Sequence, residues 1–248
     1  MKKIVASILV RNKIVVNSVN FESYRPIGAL KHIIARLQDW EVDEISVLNL
    51  THSQNPLTDF QELFSDTLLS TIHTPLSYGG GITTQSFAES VIAAGCERVV
   101  LSGAKWTPAA SRQVSINLGD QAILIHIPLV SSGQQFMLQH TTQTVQEYFQ
   151  SIPNDWGGEL FLKDKKKDGA VARLEFFREI AKVSKDLRTP IIAGGGLSSV
   201  EEVNEVLALA SIRGVAIGSW LNRDEMVIPR LKRSTEPSIN LRALVGCH

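Results

Sequence analysis

Residues 74–106 and 189–221 align without a gap at a constant offset of 115. Thr74-Pro75 falls on Thr189-Pro190, Gly79-Gly80-Gly81 on Gly194-Gly195-Gly196, Arg98 on Arg213 and Gly103 on Gly218. Glycines that simply recur after strands would account for the triplets, but not for Thr-Pro and Arg in the same register. A period near half of a 248-residue chain predicts two similar halves, each a run of βα units. The hydrophobic pattern fills in those units. Short β-branched runs occur at 4–10, 45–50, 75–78, 99–101, 122–127, 160–162, 190–193 and 214–217. Between them, 29–40, 59–72, 84–94, 108–118, 145–151, 173–185 and 200–210 carry apolar residues at three- and four-residue spacing. Strands this short and apolar on both faces suit a buried parallel sheet. Their number and spacing predict one α/β domain, a (β/α)8 TIM barrel built from duplicated half-barrels at about 1–118 and 119–233. An open doubly wound sheet is the alternative. A last helix at 222–233, kinked at Pro229, and a tail at 234–248 complete the expected layout.

Charge and cysteine content narrow the function. Lys and Arg total 25 and Asp and Glu total 25, so a nucleic-acid or membrane-surface binder, which needs a basic excess, is not expected. Cys96 and Cys247 stand far apart, which excludes a disulfide framework and a cysteine zinc site and suits a reducing cytosol. Lys2-Lys3 followed by 4–10 resembles a signal peptide only briefly, because Arg11-Asn12-Lys13 ends the run with no cleavage site beyond it. No apolar stretch approaches the ~18 residues of a membrane span. A cytoplasmic protein without metal or cofactor is expected.

In a barrel, ligands bind on the loops at the C-terminal ends of the strands. Each glycine triplet follows a strand and precedes a helix, where exposed backbone N–H groups can approach an anion. One strand later in each half comes a second small turn, Ser102-Gly103 and Gly218-Ser219. Two such cups on opposite sides of the mouth would hold a small molecule phosphorylated at both ends. Their expected contacts are Gly81, Ser102 and Gly103 on one side and Gly196, Gly218 and Ser219 on the other. The plainer reading is that these glycines only permit tight turns; their duplicated pairing favours the ligand.

With these residues in view, the chain resembles the (β/α)8 proteins of histidine biosynthesis, specifically the cyclase subunit of imidazole glycerol phosphate synthase, the HisF family. The likeness runs through Lys3-Ile4-Val5, Val19-Asn20-Phe21, Val42-Asp43-Glu44, both glycine triplets, Gly158-Glu159, Asp168-Gly169 and Gly218-Ser219. It implies a subunit that takes ammonia from a glutaminase partner through the barrel and uses it to cleave and cyclise a bisphosphorylated substrate. It also adds Asp168 and Gly169 to the second phosphate site.

The departures fall at the catalytic positions. Two aspartates at the ends of strands one and five serve that family as general acid and base, and the matching residues here are Leu9 and Pro128. Asn17 stands where the family has a lysine, and Asn49 where it has an aspartate. The same losses argue against the sister isomerase. A relocated base is conceivable at His126, which by period-two alternation shares a strand face with Pro128. The plainer reading of His126 is a core histidine. Ser7, His52, Lys163 and Asp164 also fall near strand ends, and Lys163 is the second candidate. The run Lys163-Asp164-Lys165-Lys166-Lys167-Asp168 reads equally as a solvated loop or as help for an anion.

At the other end of the barrel the likeness is complete. Lys3, Glu44, Arg98 and Glu159 begin strands one, two, four and six and match, sign for sign, the charged ring that gates the family's ammonia tunnel. Glu97 resembles the acidic position facing the glutaminase. Charged residues commonly begin strands at an exposed rim, but a ring kept while both aspartates are lost points to ammonia transfer. A branch similar in Ile8-Leu9-Val10-Arg11-Asn12 and Tyr78-Gly79-Gly80-Gly81-Ile82 belongs to lipopolysaccharide and surface-sugar clusters, where a glutaminase-like partner and a sugar amidotransferase supply acetamidino groups. The resemblance thus implies an ammonia-channelling subunit for surface-sugar amidination. Two alternatives stand beside it: a true cyclase with relocated acid–base residues, and a non-catalytic subunit that only activates a glutaminase.

Overall fold

The computed structural model describes residues 1–19, 22–132, 135–165, 174–236 and 238–242. Its strands are β1 (Lys3–Arg11), β2 (Ile14–Val19), β3 (Ser23–Ala29), β4 (Glu44–Asn49), β5 (Leu76–Gly79), β6 (Arg98–Ser102), β7 (Ile123–Ser132), β8 (Gln135–Leu138), β9 (Glu159–Asp164), β10 (Ile191–Gly194) and β11 (Ile212–Ile217). The helices are α1 (Leu30–Asp39), α2 (Pro56–Leu63), α3 (Asp66–Leu69), α4 (Gln85–Ala93), α5 (Pro108–Leu118), α6 (Val145–Gln150), α7 (Leu174–Val183), α8 (Val200–Ala208) and α9 (Val227–Ser234). Parallel pairing runs β1-β4-β5-β6-β7-β9-β10-β11 and closes through β11 onto β1, giving the expected closed barrel.

Why helices alternate with these strands is visible at their first residues. Thr84, Thr107, Thr144 and Ser199 each accept a hydrogen bond from the backbone N–H three residues on, at the starts of α4, α5, α6 and α8. The strands then sort their side chains by alternation. Ile4, Ala6, Ile8 and Val10 of β1 pack outward under the helices, in a core shared with Leu37, Val91, Phe177 and Val206. Val5 and Leu9 point inward and meet Leu48, Val100, Leu124, Phe161, Ile192 and Ala216 in a second cluster that fills the barrel.

Four expectations need correction. Ile14–Val19 and Ser23–Ala29, where no strand was expected, pair antiparallel as β2 and β3 and extend β1 above the barrel. Strand five likewise continues past residue 127 and turns back as β8. The single helix expected at 59–72 is two, because Phe64 leaves the helical region and Ser65 caps a new start. The kinked helix at 222–233 is a 3-10 turn, Ser219–Asn222, followed by α9; Pro229 lies in the first turn of α9, where its missing N–H costs nothing.

A buried ion pair ties α9 to the N-terminal end of the barrel. Lys232 Nζ lies 2.7 Å from Asp43 Oδ1, and Asp43 Oδ2 accepts from the Ile4 backbone N–H. No helix among the described residues is long and apolar enough to cross a membrane.

Candidate functional site

At the N-terminal end, four charges meet over the barrel axis. Lys3 Nζ stands 2.8 Å from Glu44 and 2.7 Å from Glu159, while Arg98 pairs with Glu159 and lies 3.6 Å from Glu44. The ring is largely shielded, with side-chain exposure from 4% at Glu44 to 21% at Lys3. Burial works against the Arg98 charge, but Glu44 and Glu159 outweigh it and raise the guanidinium above its ordinary value. Burial works against ionised Glu159 too, yet Lys3 and Arg98 hold its carboxyl below the ordinary value. Glu97, the expected partner contact, is exposed beside this ring.

The opposite end is open. A cavity of about 890 Å³ spans the mouth between Tyr24 of the first hairpin, Asn49, His52, Lys105, His126 and Pro128. Leu9 and Pro128 both face inward, Leu9 among the apolar residues of the lumen and Pro128 on the cavity wall. Neither side chain can move a proton. Asn17 accepts from Asn222 at 2.9 Å, and Asn222 in turn accepts from Arg36 at 2.8 Å, so Asn17 serves as a structural tie. Asn49 accepts from the Thr51 N–H and donates to the Tyr78 hydroxyl.

His126 lies against the Phe161 ring, with centroids 4.8 Å apart. Burial, and after it the positive charge of Lys163, push its imidazole down to about 3. At neutral pH it is uncharged, and its Nε2 has no partner among the described residues. Lys163 and Asp164 are both buried. Lys163 lines the floor of the mouth beside Ser7, whereas Asp164 packs behind Gly195. Half of the lysine loop, with Asp168 and Gly169, lies outside the described residues.

The two glycine cups sit on opposite walls, one over β5 and β6 and one over β10 and β11. In the first, Gly81 and Ser102 share a cleft with Lys105, and Gly103 packs behind it against Ile127. In the second, Gly196, Gly218 and Ser219 share a cleft with Lys163 and Arg223. The turns have like backbones, with φ of 67° at Gly81 and 76° at Gly196, in the region that favours glycine. Close packing demands glycine as well: a Cβ on Gly80 would lie 2.6 Å from the Asn49 Cβ. Among the described residues no cluster of His, Cys, Asp or Glu is arranged for a metal.

A family model described as "Histidine biosynthesis protein" matches residues 3–226, nearly the entire barrel. The chain belongs to that family. Within it, the chain is 24% identical over 246 residues to "Imidazole glycerol phosphate synthase subunit HisF" of Buchnera aphidicola, covering 94% of each. It is 27% identical over 252 residues to the protein of that name from Alkaliphilus metalliredigens, covering 97% and 98%. A protein of Pseudomonas aeruginosa named "Putative imidazole glycerol phosphate synthase subunit hisF2" shares 23% over 226 residues, covering 88% of this chain and 89% of its own length. The family barrel is therefore present from end to end.

Sequence reasoning missed Lys105, Arg223 and Tyr24. Lys105 follows the first small turn by two residues, and Arg223 the second by four, so cations recur after both turns without a common register. Tyr24 lies on the unexpected hairpin, where Arg11 stacks over its ring at 4.5 Å.

Proposed function

We propose that this HisF-like barrel docks a glutaminase on its charged end, conducts ammonia along its axis, and delivers it for amidination of a surface-polysaccharide sugar by a third protein, a sugar amidotransferase. One contrast carries the reading: the entrance ring is fully ion-paired, while Leu9 and Pro128 occupy the two positions from which the family moves protons. General acid–base groups each contribute roughly 10²–10⁴-fold to rate, so their joint loss removes most cyclase chemistry. A ring of compensating charges that closes a narrow entrance has no comparable use in a barrel that receives nothing through that end. Relatives named as synthase subunits support a partnered role.

Glutamine is hydrolysed in the partner, and neutral ammonia enters when Lys3 or Arg98 swings away from Glu159. The glycine cups, with Lys105 on one wall and Arg223 on the other, take the phosphate groups of a ligand. The half-barrel duplication explains why two such cups exist. Glu97 contributes to the docking face.

The coupling ratio, amidated product formed per glutamine hydrolysed, tests this. Glu44→Ala or Arg98→Ala should leave hydrolysis intact and lower the ratio. Unchanged coupling in both would reject conduction and favour a barrel that merely activates its partner. A second reading, a cyclase with relocated groups, draws on the open mouth, where His126 and Lys163 lie between two cationic cups. It requires turnover of the bisphosphate substrate with free ammonium.

A further inference from the structure

Beside the mouth, a separate recess of about 360 Å³ lies between the turn that joins β1 to β2 and helix α2. That volume suits a small molecule. Asn49 and Thr51 line both this recess and the mouth cavity, so the end of β4 is the partition between them. Val10 and Leu63, both buried, give the recess an apolar wall.

Charge in and around the recess does not balance. Asp59 and Glu62 stand three residues apart on α2 and so share one face. Lys13 serves only one of them, with its Nζ 2.9 Å from Glu62. Asp59, half-buried in the lining, forms no ion pair among the described residues, and its Oδ2 is shut off from solvent with no hydrogen-bond partner there. A carboxylate that has lost water without gaining a partner is costly, and a cation in the recess would relieve it.

The turn over the recess is held in a demanding shape. Asn12 and Lys13 have φ of 50° and 64°, in the left-handed region where side chains are uncommon. The Asn12 N–H donates to Thr51 Oγ1 at 2.8 Å and ties the turn to the partition. Such conformations persist where the surroundings enforce them, and they recur at ligand clamps. Glycine at position 13 would ease the backbone but would remove the lysine that pairs with Glu62.

We propose that this recess binds the alkylammonium end of a small amine, with the charged head on Asp59 and the methylene stem along Val10 and Leu63. Thr51 Oγ1 and the Asn12 side-chain oxygen are further acceptors for a head with three N–H donors. The site lies apart from the charged end and from both glycine cups, and its occupant braces the partition that forms one wall of the mouth.

Solution NMR of the purified chain tests this with two probes that share head and stem, 1,5-diaminopentane and L-lysine. At least one should shift the backbone amides of Asn12, Thr51 and Asp59 saturably at millimolar concentration, and the tighter of the two shows whether the far end is a second cation or an amino-acid group. 1-Butanol, a stem without the charge, should not. Asp59→Asn should weaken binding about tenfold, whereas Lys13→Met, which leaves both carboxylates to the ligand, should tighten it. Absence of a saturable shift with either amine, or equal affinity in Asp59→Asn, would overturn the site. So would a crystal structure of the free chain with Lys13 Nζ turned from Glu62 onto Asp59, because the recess would then supply its own cation.

Discussion

The two ends of this barrel solve opposite problems with the same strands. At the N-terminal end, every strand start that faces the axis with a charge finds an opposite charge: Lys3 and Arg98 on two carboxylates, with Asp43 and Lys232 locked just outside. At the C-terminal end the inward-facing Leu9 and Pro128 are apolar, and a cavity of about 890 Å³ is left open at the mouth. Ion pairing holds the first end closed, whereas glycine turns and hairpins shape the second without committing it to one chemistry. The same fold can therefore hold its N-terminal end fixed while its C-terminal end varies, because each end depends on different residues of each strand.

Breaking the closed end should produce the largest effect. Lys232→Met strands the buried Asp43 carboxylate and should cost about 3–5 kcal/mol in urea denaturation. The matching change at the mouth, Lys105→Met on an exposed side chain, should stay within about 0.5 kcal/mol. Similar costs at both positions would dissolve the contrast.

Acid sharpens it next. The His126 imidazole is depressed to about 3 in the folded chain, far below an unfolded histidine near 6.5. Between those values the unfolded chain binds the extra proton, so stability is complete above about pH 6.5 and declines as pH falls toward 3. His126→Phe should flatten that decline, and the His126 ring signals should not titrate in NMR above pH 4. A midpoint near 6 would place a charged base in the mouth. Glu159 titrates lower than an ordinary glutamate, so its contribution is present above the unfolded value, about 4.3, and is lost as pH falls through the lower folded one. Glu159→Gln should therefore remove a loss of stability confined to pH below about 4; one already evident at pH 5 would mean the ring is not closed in solution.

The smallest structural effect belongs to the docking face. Glu97→Lys, on an exposed side chain, should leave folding within about 0.5 kcal/mol of the parent, while weakening capture of the glutaminase in a pull-down or by calorimetry. Full retention of binding would remove Glu97 from the interface.

Much of this was legible in the sequence for definite reasons. Short apolar runs with duplicated glycine turns admit few folds, and the charges at strand starts have an obligatory position once the strands are known. Strands β2 and β3 were not legible, because the turn from β1 into β2 is Asn12-Lys13, both at positive φ, without the glycine that marks such turns. Nor was the strand-five extension, where Pro128 reads as a stop although β7 runs through it. Lys105 and Arg223 follow their turns at unequal distances, so the repeat gave no hint that both cups hold a cation.

The most direct test is steady-state turnover of the bisphosphate substrate of the histidine pathway by the purified chain with saturating free ammonium, beside an aspartate-containing cyclase as positive control. Free ammonium bypasses the entrance ring and any partner, so the assay reports on the mouth alone. If Leu9 and Pro128 ended the ancestral chemistry, product formation stays at background while the control turns over. Robust turnover would contradict that claim and direct attention to His126, Lys163 and Asp164 as the groups that replaced the aspartates.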